Sequence, residues 1–433
     1  MSGVRRVVAV VLDGLRRDQV LPADTPALAG FAQAATRYAA HRSVFPSATR
    51  VVSACFATGC WPARHGLAGN GVALMEQGRL VPHDVGRPDF MDRLRAVRGR
   101  TLLVPTLAER LAAAGREAMV FSNVSPGAAR AHDPDGHGWV LHRAWAHGPG
   151  LRPLSGAEAV ADVTLDAAGD VRLTDAFLAR ALDGRKAALA VLWLGEPDAS
   201  QHAHALGSPP VRAAIAAADA CFARVRAAVA ERRAAGEDIL LVACSDHGHQ
   251  TVREVVDIEA EFVAAGLKRG SGDDTLVSVS NGTSALVYLH PDRAADAPAV
   301  LRFLASRPWA GRVLAGAALA EVGQAAADGL LCAVSMASDD AVNGHGVPGS
   351  AFAAKPAAGK PDRLGCGQHG GLGEAEQAPF LMIEGDGFAP GATQAAPTSP
   401  VDLAPTFLRH LGLPAEGCDG KPLQSSAPGA SDR

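Results

Sequence analysis

Acidic and histidine side chains follow short apolar runs at several places along this chain, in a pattern that suits metal-dependent chemistry. A single Asp at the end of a strand is often a helix cap, and a buried His is more often hydrogen-bonded than bound to a metal ion. Together, however, the set contains three carboxylates and three imidazoles, which are natural ligands for a pair of divalent ions. Mixed nitrogen and oxygen ligands favour zinc over magnesium or calcium. The candidate metal ligands are Asp13, Asp198, His202, Asp246, His247 and His369.

Nearby residues indicate which reaction such a pair of ions would serve. Two ions about 4 Å apart can clamp a phosphoryl group between the attacking and the leaving oxygen. One ion would bind and deprotonate the hydroxyl of Thr49, and the other would hold a substrate oxygen or activate a water molecule. The side-chain amide of Asn70 would donate a hydrogen bond to a non-bridging phosphoryl oxygen. These residues therefore predict phosphoryl chemistry with a threonine nucleophile.

Thr49 begins a helix-compatible segment, Thr49–Ala57, which Thr58 and Gly59 end. A Thr at the start of a helix usually caps it, because its oxygen accepts a hydrogen bond from a free backbone N–H. The same position suits a nucleophile, since free N–H groups and the positive end of a helix favour an approaching phosphate. Both interpretations stay open from this segment alone. The competing hydroxyls are Ser43, Ser47 and Ser53.

Strand-like and helix-like segments alternate along the chain and must position these residues. The apolar run Val7–Leu12 is typical of a strand that is buried on both faces. The alternation predicts an α/β fold, an α/β/α sandwich with a mostly parallel central sheet. Open α/β sheets carry their sites at the carboxyl ends of strands, which is where Asp13 falls, and one helical turn would place Asp198 and His202 on one face. The other predicted strands include Arg37–Val44, Ala118–Ser122, Ala187–Leu194, Ile239–Ala243, Ser284–Leu289 and Phe380–Ile383.

One catalytic domain is predicted over residues 1–422. Gly, Pro, His and Asp accumulate in residues 123–172, which we interpret as an inserted loop or small cap region over the site. The long connection 291–378 is a second candidate insertion. Residues 423–433 are rich in Ser, Pro and Gly and are predicted to be disordered. His132, His137, His142 and His147 are candidate metal ligands, but we expect solvated loop positions for them. We expect structural or solvated roles for His65, His204, His249 and His345, with contact to substrate or support of a metal ligand as the alternative.

Charge and composition exclude several classes of partner. The net charge is −4 and no basic stripe is present, which argues against a nucleic-acid polymer. No apolar run approaches the roughly eighteen residues of a membrane span, and the N-terminal run is too short for a secretion signal. The seven cysteines are odd in number and lack CxxC spacing, so a disulfide framework is not expected. We expect a soluble cytoplasmic protein that acts on a small phosphorylated substrate, and its oligomeric state stays open.

The motifs around these residues occur in a definite order: VVLDGLRRD, a helix segment ending ATG with HG and N downstream, EPDxxxH, SDHG and QHGG. This series resembles the alkaline phosphatase superfamily and, within it, the type I phosphodiesterase/nucleotide pyrophosphatase family. The closing segment DLAPTFLRHLGLP is also typical, so the resemblance covers nearly the whole chain. It implies an alkaline phosphatase-like fold with Thr49 as nucleophile and Asn70 as a phosphate contact. It also implies one zinc ion on Asp13, Thr49, Asp246 and His247, and another on Asp198, His202 and His369.

The resemblance implies a metal-dependent phosphoesterase that hydrolyses a phosphodiester or phosphoanhydride through a phospho-threonine intermediate. Nucleotide-cleaving members carry TFPN at the nucleophile, whereas this chain has TRVV, which removes an aromatic side chain from the expected base-binding wall. Arg50 would pair with a second anionic oxygen, and a solvated helix position or a structural ion pair is its alternative role. The alternative functions are a phosphomonoesterase or phosphonoacetate-like hydrolase on the same machinery, a metal-dependent phosphomutase, and a catalytically silent binding protein.

Overall fold

A ten-stranded β-sheet forms the centre of the computed structural model, which describes residues 5–185, 187–270 and 272–425. Its inner strands are parallel, and the antiparallel pairs lie toward its two edges. This confirms the predicted α/β fold with a mostly parallel sheet. In spatial order the strands are β20 (Thr393–Gln394), β2 (Thr36–Tyr38), β19 (Leu381–Glu384), β10 (Asp238–Cys244), β1 (Arg5–Leu12), β9 (Leu189–Leu194), β5 (Ala118–Ser122), β6 (Trp139–His142), β7 (Trp145–Gly148) and β8 (Arg152–Pro153).

Strand β1 shows why the central strands read as continuous apolar runs. It lies between β9 and β10, and its successive side chains alternate between two hydrophobic cores. Val7 and Val11 pack into one core, and Val8 and Val10 pack into the other, so helices cover both faces of the sheet. The first core includes α2 (Thr49–Thr58), α5 (Leu107–Ala113), α6 (Pro126–Ala131) and α12 (Leu403–His410), and the second includes α1 (Pro26–Phe31), α7 (Ala167–Phe177) and α9 (Pro209–Ala234).

Two four-stranded sheets and one hairpin accompany the central sheet. The hairpin pairs β3 (Gly71–Glu76) with β4 (Arg79–Asp84). The first small sheet has the order β12 (Leu276–Ser280), β13 (Ser284–Leu289), β15 (Leu330–Met336) and β14 (Ala310–Ala315), and the second has β16 (Ser338–Val342), β17 (Pro348–Ala354), β11 (Gln250–Val256) and β18 (Gly367–Gln368). The remaining helices are α3 (Pro62–His65), α4 (Phe90–Arg98), α8 (Asp198–Ala203), α10 (Ile258–Ala264) and α11 (Ala297–Ala305). Much of the connection 291–378 therefore forms these small sheets.

Residues 123–172 differ from the inserted loop or cap that the sequence suggests, because β6, β7 and β8 come from this segment and extend the central sheet at one edge. Strand β6 is buried along its whole length, so it lacks the alternating pattern that marks a half-buried strand. His132, His142 and His147 are accordingly buried instead of solvated, whereas His137 is exposed.

Two elements near the N-terminus are shorter than predicted. The strand expected over 37–44 ends at Tyr38, because the chain turns back and the His41 N–H donates to the Tyr38 carbonyl at 3.4 Å. Thr25 and Pro26, a Thr at the cap position with Pro at the first helical position, predict a helix that continues to Ala35, but the helix ends at Phe31.

At the C-terminus, the Leu423 N–H donates to Thr406 Oγ1 at 2.9 Å, so the start of the predicted disordered tail is hydrogen-bonded to α12. Residues 426–433 of that tail lie outside the described residues. The extent of the catalytic domain, 1–422, remains a prediction. In the described part of the chain, no helix combines the length and the apolar character needed to cross a membrane.

Candidate metal centre and active site

Three acidic residues meet at the carboxyl ends of adjacent central strands. Asp13 follows β1, Asp246 comes shortly after β10, and Asp198 begins α8 after β9. Because β9, β1 and β10 are parallel neighbours, their carboxyl ends lie at the same edge of the sheet. Backbone groups connect the three ends: the Gly14 N–H donates to Asp246 Oδ1 at 3.0 Å, and the Asp198 N–H donates to the Asp13 carbonyl at 3.1 Å. The sheet thus brings together carboxylates that are far apart in the sequence.

Four histidine rings approach these carboxylates in a common orientation. In each ring, Nδ1 lies within hydrogen-bond distance of a backbone carbonyl oxygen. Because a carbonyl oxygen only accepts, Nδ1 of each neutral ring carries the proton and the lone pair is on Nε2. The four Nε2 atoms are therefore free to act as ligands. The Nδ1–oxygen distances are 2.9 Å from His202 to Gly367, 3.1 Å from His247 to Gly248, 3.1 Å from His249 to Gly14 and 2.7 Å from His369 to Ser47.

Asp13, Asp246 and His247 form the first group of ligand atoms. Asp246 Oδ2 lies 3.1 Å from His247 Nε2, and Asp13 Oδ1 lies 3.5 Å from the same nitrogen. The hydroxyl oxygen of Thr49 is also 3.1 Å from His247 Nε2. The structure therefore places close together the four side chains that the family resemblance assigns to one ion.

Asp198, His202 and His369 form the second group. One turn of α8 separates Asp198 from His202 and leaves Oδ1 3.2 Å from Nε2. His369 directly follows β18, and its Nε2 lies 3.2 Å from His202 Nε2 and 3.6 Å from Asp198 Oδ1. The His369 ring stacks on His247 with a centroid separation of 3.6 Å. The two groups of ligand atoms therefore lie side by side.

Buried oxygens without hydrogen-bond partners show that this arrangement fits divalent cations. Asp13 Oδ1, Asp198 Oδ1 and Asp246 Oδ2 are buried, and none accepts a hydrogen bond. A buried carboxylate oxygen without a partner is costly, because that oxygen has lost its hydration and accepts no hydrogen bond in exchange. A divalent ion supplies the missing positive charge, and the aspartate and imidazole donors have the types that such ions take in proteins.

The pKa values of several ligand side chains also fit a site for divalent cations. Burial raises the pKa of Asp13 well above its ordinary value, and the charges of Asp246 and Asp198 raise it further. Burial also raises the pKa of Asp246 to about 7. It lowers the pKa of His247 to about 3 and that of His369 well below its ordinary value. Although burial opposes it, the neighbouring histidines lower the pKa of Asp198. The pKa shifts therefore favour neutral imidazoles at His247 and His369, and Asp13 and Asp246 need a nearby cation to ionise readily.

Thr49 is the first residue of α2, and Ala48 occupies the N-cap position. The capping interpretation of Thr49 is therefore wrong, because its hydroxyl faces His247 and bonds to no free N–H of the helix. Asn70 lies beside it: Asn70 Oδ1 accepts a hydrogen bond from the Arg50 N–H at 3.1 Å. This contact fixes the amide group and leaves its N–H donors for a ligand in the adjacent cleft.

The competing serine hydroxyls are engaged or enclosed. Ser43 Oγ donates to the backbone carbonyl of Asp246 at 2.6 Å. Ser47 Oγ donates to Gly371 O and accepts from the Gly370 N–H, both at 3.0 Å. The Ser53 hydroxyl is fully buried in the body of α2 and does not line the cleft. Of the hydroxyls considered, the one at the start of α2 faces the ligand groups.

Arg50 lies in the wall of the cleft, where polar groups hold its guanidinium. Its Nε donates to Ser125 Oγ at 3.0 Å, and its Nη1 donates to the Asn70 carbonyl at 3.4 Å. Nη1 also lies 3.7 Å from Asp84 Oδ1, and only 17% of the side chain is exposed. A solvated helix position is therefore excluded. An ion pair with Asp84 and a contact to a substrate anion are both compatible with this position, since a guanidinium has five N–H donors.

The cleft in front of the ligand groups is large and rich in charged residues. Its volume of about 1730 Å³ exceeds the roughly 300–1,000 Å³ of ordinary small-molecule sites. Lys355, Lys360 and Arg363 line its outer part. No Phe, Tyr or Trp is present among the described residues that line it, and Tyr38 and Tyr288 are buried in the hydrophobic cores.

His249 is a residue of the cluster that the sequence interpretation missed. Its ring is fully buried, and its Nε2 lies 3.0 Å from Asp198 Oδ1. By contrast, His65 is buried beside Cys55 in the protein interior, and His204 is exposed. The available signal was the second His of SDHGH, two positions after His247, because alternate residues of an extended segment point to the same side.

Solved structures with the same architecture identify the fold as alkaline phosphatase-like. Alkaline phosphatase PafA matches with a TM-score of 0.71 and 15% identity, over 97% of this chain and 98% of that one. An inactive variant of murine ectonucleotide pyrophosphatase/phosphodiesterase 5, in complex with AMP, matches with a TM-score of 0.68 and 17% identity, over 96% and 97%. Phosphonoacetate hydrolase from Sinorhizobium meliloti 1021, in complex with phosphonoformate, matches with a TM-score of 0.64 and 17% identity, over 95% and 96%.

The family is shown by residues 7–306, which match the type I phosphodiesterase/nucleotide pyrophosphatase family. The chain therefore belongs to this family and is a hydrolase of phosphoester bonds. This confirms the family resemblance predicted from the motifs. No curated protein sequence matches the chain.

Proposed function

We propose that this protein hydrolyses a phosphodiester or phosphoanhydride bond of a small phosphorylated substrate, with Thr49 as the nucleophile. The observation that carries the proposal is the Thr49 hydroxyl, which lies at the start of α2, faces the cleft and is 3.1 Å from His247 in the ligand cluster. Family membership supports the class of reaction. The murine relative, inactive as a threonine-to-alanine variant in complex with AMP, supports a threonine nucleophile.

The donor set supports two divalent ions, which we propose to be zinc because carboxylates and imidazoles are mixed. When bound, such ions would lower the pKa of the threonine hydroxyl and of a water molecule and would neutralise charge on the phosphoryl oxygens. One ion would be held by Asp13, Thr49, Asp246 and His247, and the other by Asp198, His202 and His369.

The reaction would proceed by two displacements at phosphorus. In the first, Thr49 Oγ1 bonds to phosphorus while the bond to the leaving oxygen breaks, and the hydroxyl proton passes to solvent. Asn70 donates from Nδ2 to a non-bridging oxygen, because the Arg50 N–H already fixes its Oδ1. The positive end of the α2 dipole favours the arriving phosphate. In the second displacement a water molecule attacks phosphorus, the bond to Oγ1 breaks, and the threonine regains a proton.

Replacement of the nucleophile tests this proposal. Thr49→Ala should lower kcat for bis-p-nitrophenyl phosphate by about three orders of magnitude or more, because no covalent intermediate can form. The remaining ligands should still bind metal. Ser53→Ala is the matched control: it removes a buried hydroxyl from the same helix that makes no hydrogen bond, so kcat should stay within about twofold. Full activity of Thr49→Ala would refute the nucleophile.

A phosphomonoesterase or phosphonate hydrolase is the second candidate. It is favoured by Lys and Arg side chains in the cleft wall, and by the lack, among the described lining residues, of a Phe, Tyr or Trp on which a nucleotide base could stack. Values of kcat/KM measured side by side for bis-p-nitrophenyl phosphate, p-nitrophenyl phosphate and phosphonoacetate separate the two. A higher value for the diester supports the first candidate, and a higher value for either of the others supports the second.

We also propose a cytoplasmic location. All seven cysteines are free, and five of them are buried, as expected for a protein of a reducing compartment. Expression with and without an added export signal, followed by thiol titration, tests this: the exported form should gain no disulfide and should not be more stable.

A further inference from the structure

His249 lies inside the ligand cluster, although the family resemblance assigns it no role. Its Nδ1 is 3.1 Å from the Gly14 carbonyl oxygen, which also accepts a hydrogen bond from Gln201 Nε2 at 3.0 Å. Its Nε2 is 3.0 Å from Asp198 Oδ1. His249 Nε2 and Asp198 Oδ1 are both buried, and neither has a hydrogen-bond partner.

The protonation of the ring follows from these contacts. Because Gly14 O can only accept, the neutral ring has its proton on Nδ1, and Nε2 then presents a lone pair to a carboxylate oxygen. Two acceptors 3.0 Å apart repel each other unless a positive charge lies with them. A divalent cation bound by both His249 Nε2 and Asp198 Oδ1 would supply that charge.

The backbone on both sides makes room for this ring. A Cβ atom at Gly14 would lie 2.4 Å from His249 Cε1, and a Cβ atom at Gly367 would lie 2.9 Å from His249 Cδ2. Any side chain at either position would displace the ring. The two glycines and the Nδ1 contact therefore hold Nε2 against Asp198.

We propose that His249 Nε2 is a further ligand of the metal ion that Asp198, His202 and His369 bind. A ligand atom of His249 lies within 4.8 Å of ligand atoms on Asp198, His247 and His369, and the centroids of the His249 and His202 rings are 5.1 Å apart. This inference rests on the metal occupancy in the proposed function. Catalytic zinc sites usually have three protein ligands and keep the next position for water or substrate. A fourth protein ligand predicts that this ion is held tightly and that its site favours metals with a preference for nitrogen donors.

Metal retention by variants of the full chain tests the proposal. His249→Ala and His249→Gln should each weaken retention of one ion against a chelator by more than about 100-fold, which is the upper end for loss of a residue that only supports a ligand. The absorption spectrum of the cobalt-loaded protein should change in both variants. Gln can still donate a hydrogen bond to Asp198, so normal retention and a normal spectrum in His249→Gln would overturn the ligand role in favour of a supporting one.

Two controls and one measurement on the unaltered protein complete the test. His204→Ala removes an exposed histidine that follows the same helix, α8, and should retain metal normally. His202→Ala should lose one ion. If His202→Ala loses an ion and the His249 variants keep both ions, only the present inference fails. If the wild-type chain binds no ion, the proposed function is overturned as well. If the His249 variants do not fold, isotope-labelled histidines in the cadmium-loaded wild-type protein decide. Four imidazoles coupled to cadmium support the proposal, and three overturn it.

Discussion

The ligand cluster and the outer wall of the cleft are built in different ways. In the cluster, parallel strand ends place the carboxylates, and backbone carbonyls orient every imidazole. The outer wall, formed by residues 355–363, carries Lys355 and Lys360, whose side chains are 54% and 48% exposed. Their partners are the carboxylates of Asp257 and Asp84. In the proposed function, the chemistry depends on buried atoms with fixed positions, and we propose that substrate choice depends on charges that solvent screens.

The sharpest way to break this contrast is to remove one ligand from the cluster. His369→Ala deletes Nε2 from the second ligand group and the ring that stacks on His247. We expect loss of one metal ion per chain and a fall in kcat of about 10³-fold or more, because the phosphoryl group loses one of its two clamps. His345→Ala, at an exposed position, should change neither metal content nor kcat. Normal metal content in His369→Ala would contradict the ligand assignment.

Arg50 lies between the two regions and should show an intermediate effect. Arg50→Ala should lower kcat/KM for a monoester by about 10–100-fold and for a diester by less than about fivefold, because only the monoester carries the second anionic oxygen. Arg50→Lys keeps the charge without the planar fork and should recover part of the loss. Equal losses on both substrates would show instead that Arg50 acts through its contacts with Ser125, Asn70 and Asp84.

In the outer wall, single substitutions should have small effects. Lys360→Ala should raise KM about two- to fivefold with kcat unchanged, and the difference should vanish in high salt, because an exposed charge is screened. Lys421→Ala, which is exposed and does not line the cleft, is the control with the same change of charge. A large fall in kcat for Lys360→Ala would show that the outer wall takes part in the reaction, and the two regions would then no longer differ in this respect.

Asp170 holds the loop that precedes the ligand Asp198, and its contribution to the free energy of unfolding allows a further test of the buried region. Its carboxylate accepts from the Gly195 N–H at 3.0 Å and the Glu196 N–H at 2.9 Å, in the loop before Asp198. Burial raises its pKa from 3.8 to about 6. Between these values the folded chain binds more protons than the unfolded chain, so this contribution to stability is greatest below the lower value and is lost as pH rises through the upper one.

Asp170→Asn should remove this decrease in the free energy of unfolding, measured by urea denaturation of the metal-free chain between about pH 4 and pH 7. Asp175→Asn, at an exposed position on the same helix, should keep the wild-type dependence on pH. An unchanged slope in Asp170→Asn would mean that its carboxyl group does not titrate in this range.

Much of the cluster could be predicted from the sequence because its residues are tied to elements with clear patterns. Asp13 directly follows an apolar strand, and Asp198 and His202 are one helical turn apart. The capping interpretation of Thr49 failed because the helix begins one residue earlier than that interpretation requires, with Ala48 as its N-cap. His249 was missed because its function depends on its contacts with Gly14 and Asp198, which are distant in the sequence.

Strand β6 and the outer wall of the cleft could not be predicted, because their positions also depend on contacts between residues that are distant in the sequence. Strand β6 has no alternating pattern because both of its faces are buried, so residues 123–172 resembled a loop. The wall residues 355–363 are mostly exposed and have no apolar periodicity, and no local pattern predicts which side of a fold such a segment reaches. The segment lies between β17 and β18 of one small sheet, and the long-range packing of that sheet brings it to the cleft.

Anomalous diffraction from crystals of the zinc-loaded protein tests the central claim most directly. The account predicts two zinc peaks, one among Asp13, Thr49, Asp246 and His247 and the other among Asp198, His202, His249 and His369. Zinc that binds elsewhere, or crystals without zinc at these side chains, would contradict it.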